Sequence, residues 1–240
     1  MKRKNLLFFL TLFYTTLLVC QNKISTTSNL EKDTYNWFDS IIGQKNSELS
    51  LGPKFFNQIR TINDNHQYYI SKKFQTGEIT FNEQPYYNVK MKYDIHLDKI
   101  IIQLSNKLEK YSLLLETNQI QGFSLENKKF INISNNSNTY GFVEKLKEGK
   151  ITLYKKHFKK RFKKLDKRFK YSHFKDDSFF LISYKNKLTE IRSKSDLSKQ
   201  FPSIKKEINK LYRTINLPKN TDLFMIDLIT KIELLISNKM

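Results

Sequence analysis

The sequence has no alanine, one cysteine, four prolines and six glycines among its 240 residues. Because Cys20 is the only thiol, the body of the chain can form no intramolecular disulfide, no thiolate metal site and no thiol nucleophile. The glycines are too far apart for a phosphate-cradling loop or a dinucleotide-binding fingerprint. The four histidines lie singly, and neither G-x-S-x-G nor H-E-x-x-H occurs. The sequence therefore predicts no cofactor, no metal site and no catalytic residue of a recognised class.

Basic residues outnumber acidic ones by 43 to 23, which gives a formal charge of +20, yet arginine contributes only six of them. Residue types that are encoded by GC-rich codons are scarce throughout. Lys, Asn, Ile and Phe, which are encoded by AT-rich codons, are abundant. Two interpretations of the charge stay open: compositional drift that scatters lysines over solvated faces, or selection for a polyanionic partner. The 19 Phe and 13 Tyr are ample for a hydrophobic core.

The first twenty residues form a distinct unit. Three basic residues at positions 2–4 precede an apolar run at 6–19, whose 14 residues are short for a membrane span of about 20. This layout predicts a secretory signal peptide at 1–20 and an exported protein of the periplasm or outer membrane. Cys20 is either lipidated, as in bacterial lipoproteins, or removed with the peptide. Residues 21–34 are polar and unpatterned, which predicts a tether.

The body shows period-two patterning first and helical patterning last. Residues 86–94 alternate, with Tyr87, Val89, Met91 and Tyr93 assigned to one face of a half-buried strand. Many further short strands, separated by a few polar residues, predict an antiparallel domain at 35–192. Apolar residues at helical spacing predict a helical segment at 193–240 packed on the sheet. The expected fold class is α+β, a curved antiparallel β-meander followed by C-terminal helices.

One short cluster could begin a hydrolytic or metal site. Asp94, His96 and Asp98 combine two carboxylates with an imidazole, but they fall where one strand turns into the next, and Asp caps such turns by local hydrogen bonds. A turn is the favoured interpretation, and an enzyme of unrecognised class is kept as an alternative. Two aromatic pairs, at 37–38 and 55–56, predict core or edge packing rather than a ligand platform.

The most unusual segment is 155–170, with ten basic residues and a single acidic one. Phe158, Phe162, Leu165 and Phe169 recur there at helical spacing. Three interpretations stay open: a basic amphipathic helix on an anionic membrane surface, a nucleic-acid site, and a solvated hairpin tip. The export signal and the scarcity of arginine argue against nucleic acid. The candidate polyanion- or membrane-binding residues are Lys155, Lys156, Lys159, Lys160, Arg161, Lys163, Lys164, Lys167, Arg168 and Lys170.

The order of several blocks resembles a group of uncharacterised exported proteins of Bacteroidota. These blocks are the Y-x-N-V-x-hydrophobic-x-Y-D strand at 86–94, D-K-I-I at 98–101, I-R-S-K-S-D-L at 191–197, F-P at 201–202 and K-K-E-I at 205–208. The resemblance spans roughly residues 35–235 and rests on strand and helix patterns. It implies an exported location and a shared fold, and it assigns no functional residue.

These observations favour an exported, non-catalytic interaction or ligand-binding protein. The expected partners are an anionic lipid or lipopolysaccharide surface, or an envelope protein, and no nucleic acid is expected. A curved sheet with apolar strand faces could also hold an acyl chain, by analogy with periplasmic lipoprotein carriers.

Overall fold

Twelve β-strands and four α-helices are formed by the residues that a computed structural model describes, 24–105, 109–134, 140–166 and 169–237. The predicted signal peptide and Cys20 lie outside these residues. The helices are α1 (Ile24–Ile42), α2 (Lys194–Gln200), α3 (Lys205–Thr214) and α4 (Asp222–Ser237). The strands are β1 (Gln75–Phe81), β2 (Gln84–Asp94), β3 (Lys99–Ser105), β4 (Lys110–Leu114), β5 (Ile120–Leu125), β6 (Lys128–Asn132), β7 (Phe142–Lys147), β8 (Ile151–Lys156), β9 (Lys159–Asp166), β10 (Phe169–Asp176), β11 (Phe179–Tyr184) and β12 (Lys187–Ile191).

Ten strands form one antiparallel sheet in the order β12-β11-β8-β7-β6-β5-β1-β2-β3-β4, and β9 and β10 form a separate two-stranded sheet. Three of the hairpins turn on two residues that both have positive φ, at 82–83, 126–127 and 185–186. That geometry belongs to the turn whose twist matches paired strands. The predicted α+β class, an antiparallel sheet followed by C-terminal helices, is confirmed, and α1 is an additional helix that precedes the sheet.

The β1–β5 half of the sheet curls. Strands β4 and β5 are joined by only five residues, 115–119, although β3, β2 and β1 lie between them in the sheet. Four strand spacings of about 4.8 Å would separate β4 and β5 by about 19 Å if the sheet were flat. Five linking residues that include a 3₁₀ turn at Thr117–Gln119 hardly span that distance. The curl brings the ends of β4 and β5 together and encloses the first core.

Aromatic side chains fill this first core. The rings of Phe123 and Phe130 stack with centroids 4.6 Å apart, and Tyr93 meets both edge-on at 5.1 and 5.5 Å. Phe142 adds a further edge contact with Tyr93 at 5.9 Å. All four residues are at most 5 % exposed. The inside of the curl is therefore occupied by the protein's own side chains.

A β-bulge in β2 changes which tyrosine enters the core. Gly77 pairs with Val89 but Ile79 pairs with Tyr86, so two residues of β2 stand opposite one of β1. Asn88 in the bulge has a φ of 56°, a left-handed conformation that asparagine tolerates. Tyr86 is consequently buried, and Tyr87 is only partly buried. The assignment of Tyr87 to the buried face is wrong, because strict alternation does not anticipate a bulge.

The second core lies between β8, β11 and β12 and the C-terminal helices. Its fully buried members include Leu153, Ile182, Ile208, Leu228 and Ile232. Helix α2 begins with a capping box in which Ser193 and Asp196 satisfy each other's backbone amides. Thr221 caps α4 by accepting a hydrogen bond from the Phe224 amide. The helical segment thus packs on the sheet as its periodicity predicts.

Helix α1 corrects the prediction of a polar tether at 21–34, because residues 24–34 belong to this helix. The pattern gave no cue because the described contacts of α1 with the sheet include polar side chains, Lys32 with Glu78 and Asn36 with Asn88. None of the helices in the described part of the chain has the length and apolarity that a membrane crossing requires.

Candidate functional site

The basic segment forms a β-hairpin and not an amphipathic helix. All eight residues of β9 pair with β10, from Lys159 opposite Asp176 to Asp166 opposite Phe169. The outer edge of β10 is braced by residues 60–65: the Ser172 amide donates to the Arg60 carbonyl, and the Asn65 side chain bonds to both backbone groups of Phe174. The hairpin is therefore held at one edge, while β9 from Lys160 onward is exposed.

One face of the hairpin combines lysines with aromatic rings. Directly paired residues share a face, and so do residues two apart along a strand. Lys160, Phe162, Lys164 and Asp166 of β9 thus lie on the same side as their partners on β10. We call this set the cationic-aromatic face, and its members are Lys160, Phe162, Lys164, Asp166, Phe169, Tyr171, His173 and Lys175.

The three lysines of the cationic-aromatic face are exposed to solvent, and Phe162 is 40 % exposed. Lys160 lies directly opposite Lys175, an arrangement of like charges that costs stability within a hairpin. Lys175 was missed by the sequence analysis, because only the strand register brings it beside Lys160. Leu165, on the other face near the turn, is 70 % exposed. Lys167 and Arg168 lie outside the described residues.

The opposite face carries the other exposed cations. Lys163 and Lys170 are exposed there, and Arg161 donates through Nε to the Ser172 hydroxyl at 2.8 Å. The neighbouring Ser172 and Phe174 are buried against the body. This face is therefore divided between contact with the body near its base and solvent towards its tip.

The first residues of the basic segment are structural. Lys155 binds Asp222 of α4 at 2.7 Å, and Lys156 binds Asp98 at 2.6 Å. Lys159 donates to the carbonyl oxygens of His66 and Tyr68 at 3.0 and 2.8 Å. Burial lowers the pKa of both Lys156 and Lys159. These three cations fix the root of the hairpin and are not available to a partner.

Asp98 is the centre of the tightest contact at the root. Its Oδ1 accepts hydrogen bonds from the Tyr93 hydroxyl at 2.5 Å and from Lys156 Nζ, and its Oδ2 accepts from the Phe142 amide at 3.2 Å. Gly141 has a φ of 66°, and a Cβ there would lie 1.6 Å from Asp98 Oδ2. Glycine is therefore required at 141, and the β2–β3 turn is bound directly to β8.

A buried carboxylate with two basic neighbours lies on β7. Glu144 is 3 % exposed, and its oxygens lie 2.7 Å from His157 Nε2 and 2.9 Å from Lys128 Nζ. The ring of Tyr69 packs edge-on against His157 at 4.8 Å. Burial alone would raise the pKa of Glu144, but hydrogen bonds from His157 and Lys128 outweigh it and bring that pKa below its ordinary value.

This lowered pKa predicts an acid-sensitive contribution to stability. A carboxylate whose pKa is lower in the folded state stabilises the fold above its unfolded pKa, and this contribution is lost as the pH falls through the folded pKa. Glu144→Gln should therefore be less stable than the native chain at pH 7, and the difference should narrow below about pH 4.3. Urea unfolding at several pH values measures it. The exposed Glu148→Gln serves as the control; a constant gap for Glu144→Gln would contradict the prediction.

The structure does not gather Asp94, His96 and Asp98 around a cleft. Asp94 Oδ1 accepts from the amides of His96 and Leu97 at 3.0 and 2.9 Å, as a turn cap does. His96 Nδ1 lies 2.9 Å from the Lys159 carbonyl. Each side chain therefore has its own separate partner, and the hydrolase alternative finds no shared site here. Within the described ranges, no cluster of three or more His, Cys, Asp or Glu is placed to hold a metal ion.

Comparison of the chain with protein-family models, with curated proteins and with solved structures found no match.

Proposed function

We propose that this chain is an exported, non-catalytic binding protein whose β9–β10 hairpin contacts a phosphate-bearing lipid surface of the cell envelope. One observation supports this most directly: the hairpin is separate from the main sheet and has exposed lysines beside exposed apolar side chains. Each lysine near an anionic membrane contributes about 1 kcal/mol to the free energy of binding. Aromatic rings in turn favour the headgroup region of the bilayer. A soluble polyanion would use the lysines but would leave Phe162 in water.

The firm root of the hairpin suits this role. Lys156 and Lys159 are committed to the body, so the hairpin has a fixed base and presents a defined face. A preformed surface loses less conformational entropy on binding than a flexible basic segment would. The resemblance to exported Bacteroidota proteins and the composition of residues 1–20 support the location, and a membrane phosphate surface is present there.

Carriage of an acyl chain is not proposed. The interior of the curled sheet is occupied by Phe123, Phe130, Phe142 and Tyr93 in mutual contact. A lipid chain would have to displace these rings.

Replacing Lys160, Lys164 and Lys175 together with Gln should weaken binding to vesicles rich in phosphatidylglycerol by about 3 kcal/mol, or about 100-fold. The affinity of the native chain should also fall steeply between about 50 mM and 0.5 M salt, because the Debye length shortens. Vesicle co-sedimentation measures both effects.

The matched control replaces three exposed lysines of α3 with Gln. They are Lys205, Lys206 and Lys210. This variant loses the same charge but should keep its affinity within a few-fold. Equal losses in the two variants would mean that net charge alone drives binding, and the proposal for the hairpin would fall. Binding to single-stranded DNA but not to anionic vesicles would indicate a nucleic-acid site instead.

A further inference from the structure

Helix α1 contacts the body with its polar side. A surface helix ordinarily turns its apolar stripe towards the core. In α1, Lys32 instead pairs with Glu78 of β1, and the Asn36 side chain accepts a hydrogen bond from Asn88 at 3.0 Å. Tyr35 packs against Tyr87, the residue that the β2 bulge turns outward, with ring centroids 6.3 Å apart.

The apolar side of α1 faces solvent as a result. Four large apolar residues follow Leu30 at 7, 8, 11 and 12 positions along the chain. This spacing places all five along one side of the helix. They are Leu30, Trp37, Phe38, Ile41 and Ile42, exposed by 71, 64, 48, 65 and 36 %. The expectation that the 37–38 pair packs in the core or at an edge is therefore wrong. The pair Phe55–Phe56 is divided: Phe55 is partly buried at the edge strand β4, where its amide donates to the Ser112 carbonyl at 2.8 Å, whereas Phe56 is 73 % exposed.

Part of this side also borders a groove of about 580 Å³ between α1 and the β1–β2 turn, lined by Tyr35, Trp37, Phe38 and residues 82–84. Contiguous apolar patches of this kind mark interaction surfaces in proteins. The covering partner is indicated by the chain that precedes the helix.

Residues 6–19 are the most apolar run in the sequence, and Cys20 is four residues before Ile24, where α1 begins. An acyl group on Cys20, the lipidated alternative above, would hold the start of α1 within about 14 Å of lipid, since four residues span at most about 3.5 Å each. Tryptophan is enriched where a membrane meets water, because its ring has an apolar body and one polar N–H.

We infer that α1 lies on the bilayer as an interfacial helix, with Leu30, Trp37, Phe38 and Ile41 among the lipid headgroups and upper acyl chains. The inference rests on the proposed function in placing the chain at a lipid surface, but it uses different chemistry. The sequence of α1 has three acidic residues and one lysine, so anionic headgroups do not attract it. Its attachment comes from buried apolar area and should depend little on salt.

Trp37 is the only tryptophan in the chain, so its fluorescence reports on α1 alone. The chain is purified as expressing cells process it, with its N-terminus determined by mass spectrometry. Neutral phosphatidylcholine vesicles should shift the Trp37 emission to shorter wavelength. Lipids brominated in the upper acyl chain should quench the emission, as expected for an interfacial ring. Both effects should persist at about 0.5 M salt.

A variant with Leu30, Phe38 and Ile41 replaced by Gln keeps Trp37 as reporter and should lose most of the quenching. The matched control replaces three other exposed apolar residues, Ile70, Leu223 and Leu234, with Gln and should keep it. Circular dichroism checks that both variants retain the native spectrum.

The outcomes separate this inference from the proposed function. Vesicle binding that depends on Lys160, Lys164 and Lys175 without any quenching of Trp37 would overturn the role of α1 and leave the hairpin proposal intact. Quenching on neutral vesicles, together with vesicle binding that does not depend on these lysines, would overturn the hairpin proposal and support the role of α1. A lipid-free dimer with Trp37 emission already at short wavelength and unchanged by vesicles would show that a second copy covers the helix, which overturns the inference.

Discussion

Replacing Asp98 with alanine should lower the free energy of unfolding by about 4 kcal/mol. Removing one partner of a buried ion pair costs about 3–5 kcal/mol, because the charge that stays buried is no longer compensated. Lys156 is 7 % exposed, and Asp98 is the carboxylate that neutralises it. The Tyr93 hydroxyl and the Phe142 amide lose the same acceptor. Urea unfolding of the two proteins at pH 7 measures the difference, and the denaturant slope should stay unchanged.

A second substitution separates the charge from the rest of the effect. Lys156→Met removes the buried ammonium group and keeps the volume, so the double variant should recover most of the loss. Asp98 has a φ of 56°, where alanine costs about 1 kcal/mol more than aspartate, and this part should remain. Asn220→Ala, at an exposed position with a φ of 60°, measures that backbone cost alone. If Lys156→Met restored nothing, the pair would not be the source of the instability.

Much of the fold follows from local pattern. The alternation along 86–94 and the helical spacing in the last 45 residues predict the strands and helices that are found, because each pattern reflects burial of one face. The bulge at Tyr87 and Asn88 could not be predicted in the same way. It depends on the pairing of β2 with β1, a contact between segments and not a property of either alone.

The docking of α1 escaped prediction for a related reason. Sequence patterns identify a helix by the apolar stripe that it buries, whereas the described contacts of α1 include a partly exposed ion pair and an exposed hydrogen bond. Lys32 pairs with Glu78, and Asn36 bonds to Asn88. Both partners lie about fifty residues later in the chain, so the sequence around α1 does not indicate these contacts.

Two segments that are distant in the sequence meet at the candidate site. Local spacing presents the turn at 94–98 as a candidate hydrolytic cluster and the basic segment as a candidate polyanion site. In the structure, Asp98 binds Lys156, and His96 contacts the Lys159 carbonyl. Local spacing revealed both segments, but their contact arises from the sheet order, which composition and periodicity do not encode. Helical spacing of Phe158, Phe162 and Leu165 was misleading in the same way, because hairpin pairing decides the conformation there.

Phe130→Ala should remove about 3–5 kcal/mol of stability, the usual cost of deleting a fully packed ring. Phe130 is 2 % exposed and contacts four rings, with centroid distances of 4.6 Å to Phe123, 5.3 Å to Tyr69, 5.5 Å to Tyr93 and 5.7 Å to His157. Since these neighbours come from four separate segments of the chain, the cavity cannot close by a simple shift of one side chain. Urea unfolding measures the loss.

The exposed Phe56→Ala is the matched control and should change stability by less than about 0.5 kcal/mol. The comparison also decides between a filled interior and one that holds a lipid. If an acyl chain occupied the curled sheet, its flexible methylenes would fill the space left by Phe130, and the loss would be well under about 2 kcal/mol. Such a small loss, together with lipid that co-purifies with the variant, would favour a carrier. The full loss without lipid would show that the rings themselves hold the curled sheet together and leave binding to the exposed surfaces.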